Sequence, residues 1–367
     1  MSKSCVESRR DKSGTPRFIP PGHTFSLCSS RLHLRGVRLK TSVFFLMNCA
    51  RFLSTLLSTI GIKKDSLRLQ GDTVLQKLIQ GGNTLTDNIA MQADNTALAE
   101  VFAQPIWLAS HLDDPDVRVV EVDVSRAAYD QGHIPGAILW NAYTDLHHAE
   151  DYSPLERSEF EKLLRRSGLT PDATIVFYGY GPYLGFWLTK AYGHQRALVL
   201  NGTRQDWREA GLPWTTALPE PVPSTYTLPA AEVTQLKSLE ALQAALGSGD
   251  PLILDVRSQA EFVGERFWPS GAMAGAGRPG HIPGAVHLPI DLLHTADGAF
   301  QSAAVLQQLL RERGVAASRS IVTYCTIGAR ASEAATVLRY LLGYPDVRVY
   351  DGSWAQWGTQ PQTPIET

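Results

Sequence analysis

The chain has 367 residues, of which 44% are hydrophobic and 19% charged, enough to bury two ordinary globular cores with residues to spare. Its formal charge of −2 conceals a division: residues 1–64 hold twelve Lys/Arg against two acids, net +10, and the remainder is net −12. Cys325 is the only cysteine after residue 49, which excludes an internal disulfide or a cysteine-rich zinc site from the body and fits a reducing compartment.

The head, residues 1–99, reads as a basic, disordered or non-native extension. The chain is expected to be cytoplasmic, with translation starting at Met1, Met47 or Met91; the alternative is mitochondrial, if the Arg-rich, acid-poor head is a transit peptide. The apolar run at 43–47 is far shorter than the about 20 residues that span a bilayer, so no membrane partner is expected. Nor is nucleic acid, because the basic charge has no aromatic or motif context.

From residue 100 the pattern alternates between strand and helix. A β-rich run at 117–122 ends in Asp123, and a Gly132-His133-Ile134-Pro135-Gly136-Ala137 turn leads into a strand at 137–140. An amphipathic helix at 156–167, a buried strand at 175–178, a helix at 183–192, a strand at 197–200 and a Trp-bearing helical turn follow. Five prolines between Pro213 and Pro229 indicate a semi-extended linker. The same series then recurs. Val122-Asp123-Val124 matches Leu254-Asp255-Val256 at an offset of 132, and the Gly-His-Ile-Pro-Gly-Ala hexapeptide returns at Gly280–Ala285, offset 148. Ile175–Tyr178 matches Ile321–Tyr324, and Asn201-Gly202-Thr203 matches Asp351-Gly352-Ser353. This is a duplicated domain with a sixteen-residue insertion in the second copy. The expected fold class is α/β, with two tandem domains at 100–215 and 231–367 joined by a linker at 216–230. Each should be a mostly parallel sheet flanked by helices on both faces. Helices are expected at 304–313 and 331–342, and strands at 251–256, 285–288 and 347–350.

Chemistry concentrates where the second copy's central strand ends. Cys325 is followed by Thr326, Ile327, Gly328, Ala329 and Arg330, and then by a helix. A helix N-terminus presents N–H groups with no internal partner, loop amides can converge with them as an anion nest, and the helix dipole adds partial positive charge. Gly328 lets the loop curl and Arg330 supplies a cation. All of these favour a thiolate at Cys325 and suit it as a nucleophile.

The paired hexapeptide turns, this loop and Val349-Tyr350-Asp351-Gly352-Ser353-Trp354 together resemble the tandem rhodanese family, nearest to bacterial-type thiosulfate sulfurtransferases, over residues 100–365. The resemblance implies that Cys325 carries sulfur as a persulfide and that Arg257 binds the anionic donor. Ile327 stands where vertebrate members place a donor-contacting lysine, which leaves Arg330 to supply that charge. Gln356 stands where the family usually has Glu, in a position that looks structural. In the first copy Gly179 replaces the cysteine and Ser125 replaces Arg257, so that domain is inert.

The expected reaction takes sulfur from thiosulfate to cyanide or a cellular thiol, with no cofactor and no metal. Two rivals remain, mercaptopyruvate as donor and a non-catalytic sulfur-binding or scaffold role. A cysteine phosphatase is disfavoured because only four residues separate Cys325 from Arg330. His133 and His281, present in both copies, read as structural; the insertion at 265–279 reads as a mobile loop over the cleft or a long surface loop. Nothing in the sequence sets the oligomeric state.

Overall fold

A computed structural model describes residues 99–230, 234–271 and 276–367. The expectations for the basic head, and for Cys5, Cys28 and Cys49, lie outside the described residues.

The first sheet holds β1 (Phe102–Ala103), β2 (Val117–Asp123), β3 (Ile138–Asn141), β4 (Thr174–Gly179) and β5 (Ala197–Leu200) in the order β1-β5-β4-β2-β3. The second holds β6 (Leu252–Asp255), β7 (Val286–His287), β8 (Ile321–Tyr324) and β9 (Val347–Val349) in the order β7-β6-β8-β9. Leu236 makes a parallel bridge to Val349 and so takes the place beside β9 that β1 takes beside β5. Every pairing in both sheets is parallel. The central strands β2, β4, β6 and β8 are almost wholly buried, as strands covered on both faces must be. The fold class is therefore as expected, two α/β domains of one topology.

Helices form where apolar spacing and caps agree. Arg157–Arg166 buries Phe160, Leu163 and Leu164 on one face and opens on a capping box between Glu156 and Glu159. Ala303–Glu312 is capped by Ser302. The helix expected at 331–342 begins two residues earlier and changes pitch: Ala329–Thr336 is α-helical and Val337–Leu341 forms a π turn, closed by Leu342 N–H on Val337 O at 3.0 Å. Thr336 Oγ1 donates back to Ser332 O at 2.7 Å just at the change, a bond that competes with the regular ladder.

The repeated turn is held alike in both copies. Ile134 N–H donates to the Tyr178 hydroxyl and Ile282 N–H to that of Tyr324, each at 3.1 Å. His133 donates to Tyr129 O and stacks on that ring, while His281 donates to Phe262 O and stacks on Phe262. Each turn also bridges to the end of its own domain, His133 to Thr215 and His281 to Glu366. Both histidines thus pin the loop that carries them.

Two segments depart from the expected picture. The Pro-rich stretch is extended but docked: Tyr226 and Leu228 are buried, and Arg165 Nε donates to Tyr226 O at 2.6 Å. The insertion is fixed at its described ends. Phe267 and Trp268 are buried, and Arg278 donates to Thr363 O at 2.9 Å; residues 272–275 lie outside the described residues.

The two domains meet along equivalent helices. Pro182–Ala191, which follows β4, packs on Ala329–Thr336, which follows β8, in one buried cluster that includes Leu184, Phe186, Ile327 and Ala329. Phe186 and Trp187 meet Tyr340 edge-on at 5.5 and 6.3 Å. Burial of a large apolar side chain is worth about 1.5–3 kcal/mol, so this contact weighs heavily in the stability of both halves.

Candidate active site

Strand β8 delivers Cys325 to the domain boundary, where the side chain is 1% exposed. Its N–H donates to Ser353 Oγ at 3.1 Å, and its carbonyl accepts from Trp354 N–H at 2.9 Å. Ser353 in turn donates to Tyr350 O at 2.9 Å and adopts φ +52°, a strained value for a residue with a side chain. Beyond Cys325 the next loop amide to find a carbonyl is Ser332 N–H, on Gly328 O at 2.8 Å. Among the described residues no carbonyl takes the N–H groups of 326–331. Gly328 makes this possible at φ +85°, ψ −25°, capping the helix in the left-handed region. A Cβ there would lie 2.5 Å from Asp351 Oδ1 and 3.2 Å from Leu184 Cδ1.

Arg330 stands over the loop but is not a free cation. Glu261, fully buried, accepts from Arg330 Nη1 at 2.9 Å and from Nη2 at 2.8 Å, and from the Thr326 hydroxyl at 2.7 Å. Arg330 Nη2 also donates to Thr326 Oγ1 at 2.7 Å. Burial by itself would raise the Glu261 carboxyl, but Arg330 and the hydroxyls of Ser258 and Thr326 outweigh it and hold the group at about 2. The cost of burying Arg330 is likewise outweighed by Glu261 and Cys325, so the guanidinium is firmly charged.

Arg257 is completely buried. Its Nε donates to Asp255 Oδ1 at 3.0 Å, and its Nη2 donates to Asp255 Oδ2 at 2.6 Å and to Gly280 O at 2.7 Å. The guanidinium lies 4.5 Å over Trp354 and 5.4 Å over Tyr324, leaving only Nη1 without a hydrogen-bond partner. The structure thus gathers Cys325, Thr326, Ile327, Gly328, Ala329 and Arg330 at one mouth and sets Arg257 in a neutral pair that ties the hexapeptide turn to β6. Ile327 is buried in the contact between the domains.

The first copy differs at the same place. Gly179 replaces the cysteine, and its loop has three residues between Tyr178 and the helix at Pro182, against four between Tyr324 and Ala329. Gly181 N–H is taken by Val122 O at 3.0 Å and Pro182 has no N–H, so no cradle forms. There Arg204 pairs with both Glu121 and Asp123. That domain nevertheless reaches the site. His147 Nε2 lies 3.3 Å from Asp351 Oδ1, both side chains buried, as a charge contact without hydrogen-bond alignment. Burial opposes charge on His147, but the Asp351 carboxylate prevails and raises its affinity for a proton.

Beside the loop opens a cleft of about 470 Å³, walled by Tyr143, Tyr152 and Tyr180 from the first domain and Trp268 from the second. Burial, followed by the charges of Tyr180, Tyr152 and Cys325, raises the Tyr143 hydroxyl, and Cys325 acts on Tyr180 as well. Glu261, Ser353, His147 and these rings were not singled out from sequence as site residues. Only Glu261 carried a local signal, the Ser258-x-x-Glu261 capping box. Among the described residues no three acidic, His or Cys side chains converge as a metal site, and no helix is long and apolar enough to cross a membrane.

The sequence profile of the rhodanese-like domain matches residues 104–210 and 238–360. The chain is 38% identical over 278 residues to "Sulfur carrier protein TtuD" of Thermus thermophilus, covering 72% of this chain and 96% of that protein. It is 37% identical over 279 residues to a Haloferax volcanii protein named "Putative thiosulfate sulfurtransferase", covering 73% and 96%. The anaerobic ergothioneine biosynthesis enzyme of Chlorobium limicola, solved with trimethyl histidine, shares the fold at TM-score 0.64 and 24% identity, over 74% of this chain and 71% of that one. With two matching domains, one keeping the cysteine and its loop and one lacking both, the chain belongs to the rhodanese family of sulfurtransferases.

Proposed function

We propose that the chain is a thiosulfate sulfurtransferase that moves sulfane sulfur through a persulfide on Cys325. The Cys325 thiolate attacks the outer sulfur of thiosulfate; the S–S bond breaks and its electron pair leaves with sulfite. The persulfide anion is then held by the loop amides of 326–331, aimed where negative charge resides. A thiophile such as cyanide attacks the outer sulfur and leaves as thiocyanate, returning the electron pair to Cys325. Both half-reactions balance without a metal, redox partner or organic cofactor. Arg330 adds positive potential at the mouth while Glu261 fixes its direction; in this reading Arg257 meets a donor only through Nη1 and otherwise supports the turn.

The observation that carries the reading is the run of N–H groups at 326–331 that no carbonyl takes, directly after Cys325 and at a helix N-terminus. A gapless six-residue loop suits one sulfur atom better than a tetrahedral oxyanion, which disfavours phosphate chemistry. The domain limits belong to the same proposal: an inert domain at 100–215, a linker at 216–230 and a catalytic domain at 231–367.

The test is cyanolysis. Purified chain, thiosulfate and cyanide should yield thiocyanate with ping-pong kinetics, and Cys325→Ser should abolish it. Faster turnover with mercaptopyruvate would reassign the donor. Absence of turnover with either donor in folded protein would leave a sulfur-binding or scaffold role.

A further inference from the structure

We infer that the aromatic cleft beside Cys325 seats the second substrate, and that this acceptor is an organic thiol with a planar group and no negative charge. The inference rests on the persulfide reading above and names what that persulfide is delivered to. Three rings define the cleft. Trp268 meets Tyr152 at 5.7 Å and Tyr143 at 6.4 Å, and Tyr143 meets Tyr152 at 6.3 Å, all edge to face. Tyr180, 57% exposed, forms the wall toward Arg330 and Cys325.

The volume, about 470 Å³, is in the range of small-molecule sites and far exceeds what cyanide needs. The lining supplies ring faces, which attract flat or cationic groups. Among the described residues it contains no charged side chain. The cations nearest the loop are paired, Arg330 with Glu261, Arg204 with Glu121 and Asp123, and Arg257 with Asp255; at the rim Arg266 Nη1 donates to Pro269 O at 3.2 Å. A carboxylate entering here would lose hydration with no charged side chain in the lining to replace it. In the transfer, the acceptor thiolate attacks the outer persulfide sulfur, and the S–S bond breaks with its electron pair going to Cys325 Sγ. The acceptor departs as a persulfide, its thiol proton having passed to solvent, with no oxidant or reductant.

The experiment loads the full chain with thiosulfate, removes the excess and follows the loss of cyanolysable sulfur on adding a thiol. Benzyl mercaptan and 4-(mercaptomethyl)benzoate share ring and thiol but differ in charge; 2-mercaptoethanol has neither ring nor charge. Benzyl mercaptan should discharge the persulfide at least about tenfold faster than either, and Trp268→Leu or Tyr152→Leu, shown folded by thermal melting, should reduce that advantage below about threefold. Equal or faster discharge by the benzoate, or an advantage that survives both substitutions, would overturn the inference. If no persulfide forms, the sulfurtransferase proposal fails on its own. The cleft is then judged by ligand-observed NMR with benzyl alcohol: binding weakened by Trp268→Leu sustains an aromatic subsite, and absence of binding overturns it.

Discussion

Glu261 serves three neighbours at once: it completes the cap of its own helix through Ser258, receives the Thr326 hydroxyl and pairs bidentately with Arg330. Removing one partner from a buried pair costs about 3–5 kcal/mol. Because Arg330 keeps 21% of its side chain exposed, Glu261→Gln should cost near the lower end, about 3 kcal/mol in urea unfolding. A loss below about 1 kcal/mol would show that the pair does not hold the loop. Since this carboxyl is held low, its contribution is complete above the ordinary carboxylate range and is lost as pH falls toward about 2. Little of this could be read from the chain in advance. The Ser-x-x-Glu box is local and legible, but its second use joins residues 69 apart. Arg330 looked like a free cation because its counter-charge lies in another element.

At the scale of elements, the loop from Cys325 to Arg330 depends on one left-handed residue. Gly328 and Gly284 have similar φ, +85° and +74°, but a Cβ at Gly328 meets the Asp351 carboxylate whereas one at Gly284 meets nothing within 4 Å. Gly284→Ala should therefore show only the backbone penalty of about 1–2 kcal/mol, with turnover retained. Gly328→Ala should cost more and lower thiosulfate:cyanide turnover by at least about tenfold, as the loop shifts to relieve the contact. Parallel measurement of melting and turnover on the two variants separates the effects; equal behaviour would refute the steric argument. The strands, the helices and the order of motifs were legible because the chain states them twice. Strand β1 and the Leu236 bridge were not, because two residues and one residue are too short to show a period. The π turn was not legible either, since it falls beside a Thr336 hydroxyl bond to Ser332 O and leaves the hydrophobic spacing unmarked.

Over the whole molecule, the first domain lends the second a histidine. The affinity of His147 for a proton is raised by Asp351, so the pair's stabilisation is complete below the ordinary histidine range and fades as pH rises through the raised value. His147→Gln should accordingly lower unfolding stability more at pH 6 than at pH 9. A gap that is the same at both values would mean that the histidine acts through packing alone. This contact was not legible in the chain: His147 belongs to one copy and Asp351 to the other, and the repeat aligns Asp351 with Asn201 without showing what it faces.

The packing of Pro182–Ala191 against Ala329–Thr336 also bears on how such a chain can change. Each copy hides the apolar face of the helix that follows its own central strand in the other copy. A chain cut back to its second half would open Ile327, Ala329 and Tyr340 to water, in the segment that carries the loop after Cys325. Losing the first copy is thus not a mere shortening but the loss of a wall. The two copies are in that sense interlocked, because neither can be removed without uncovering the helix of the other.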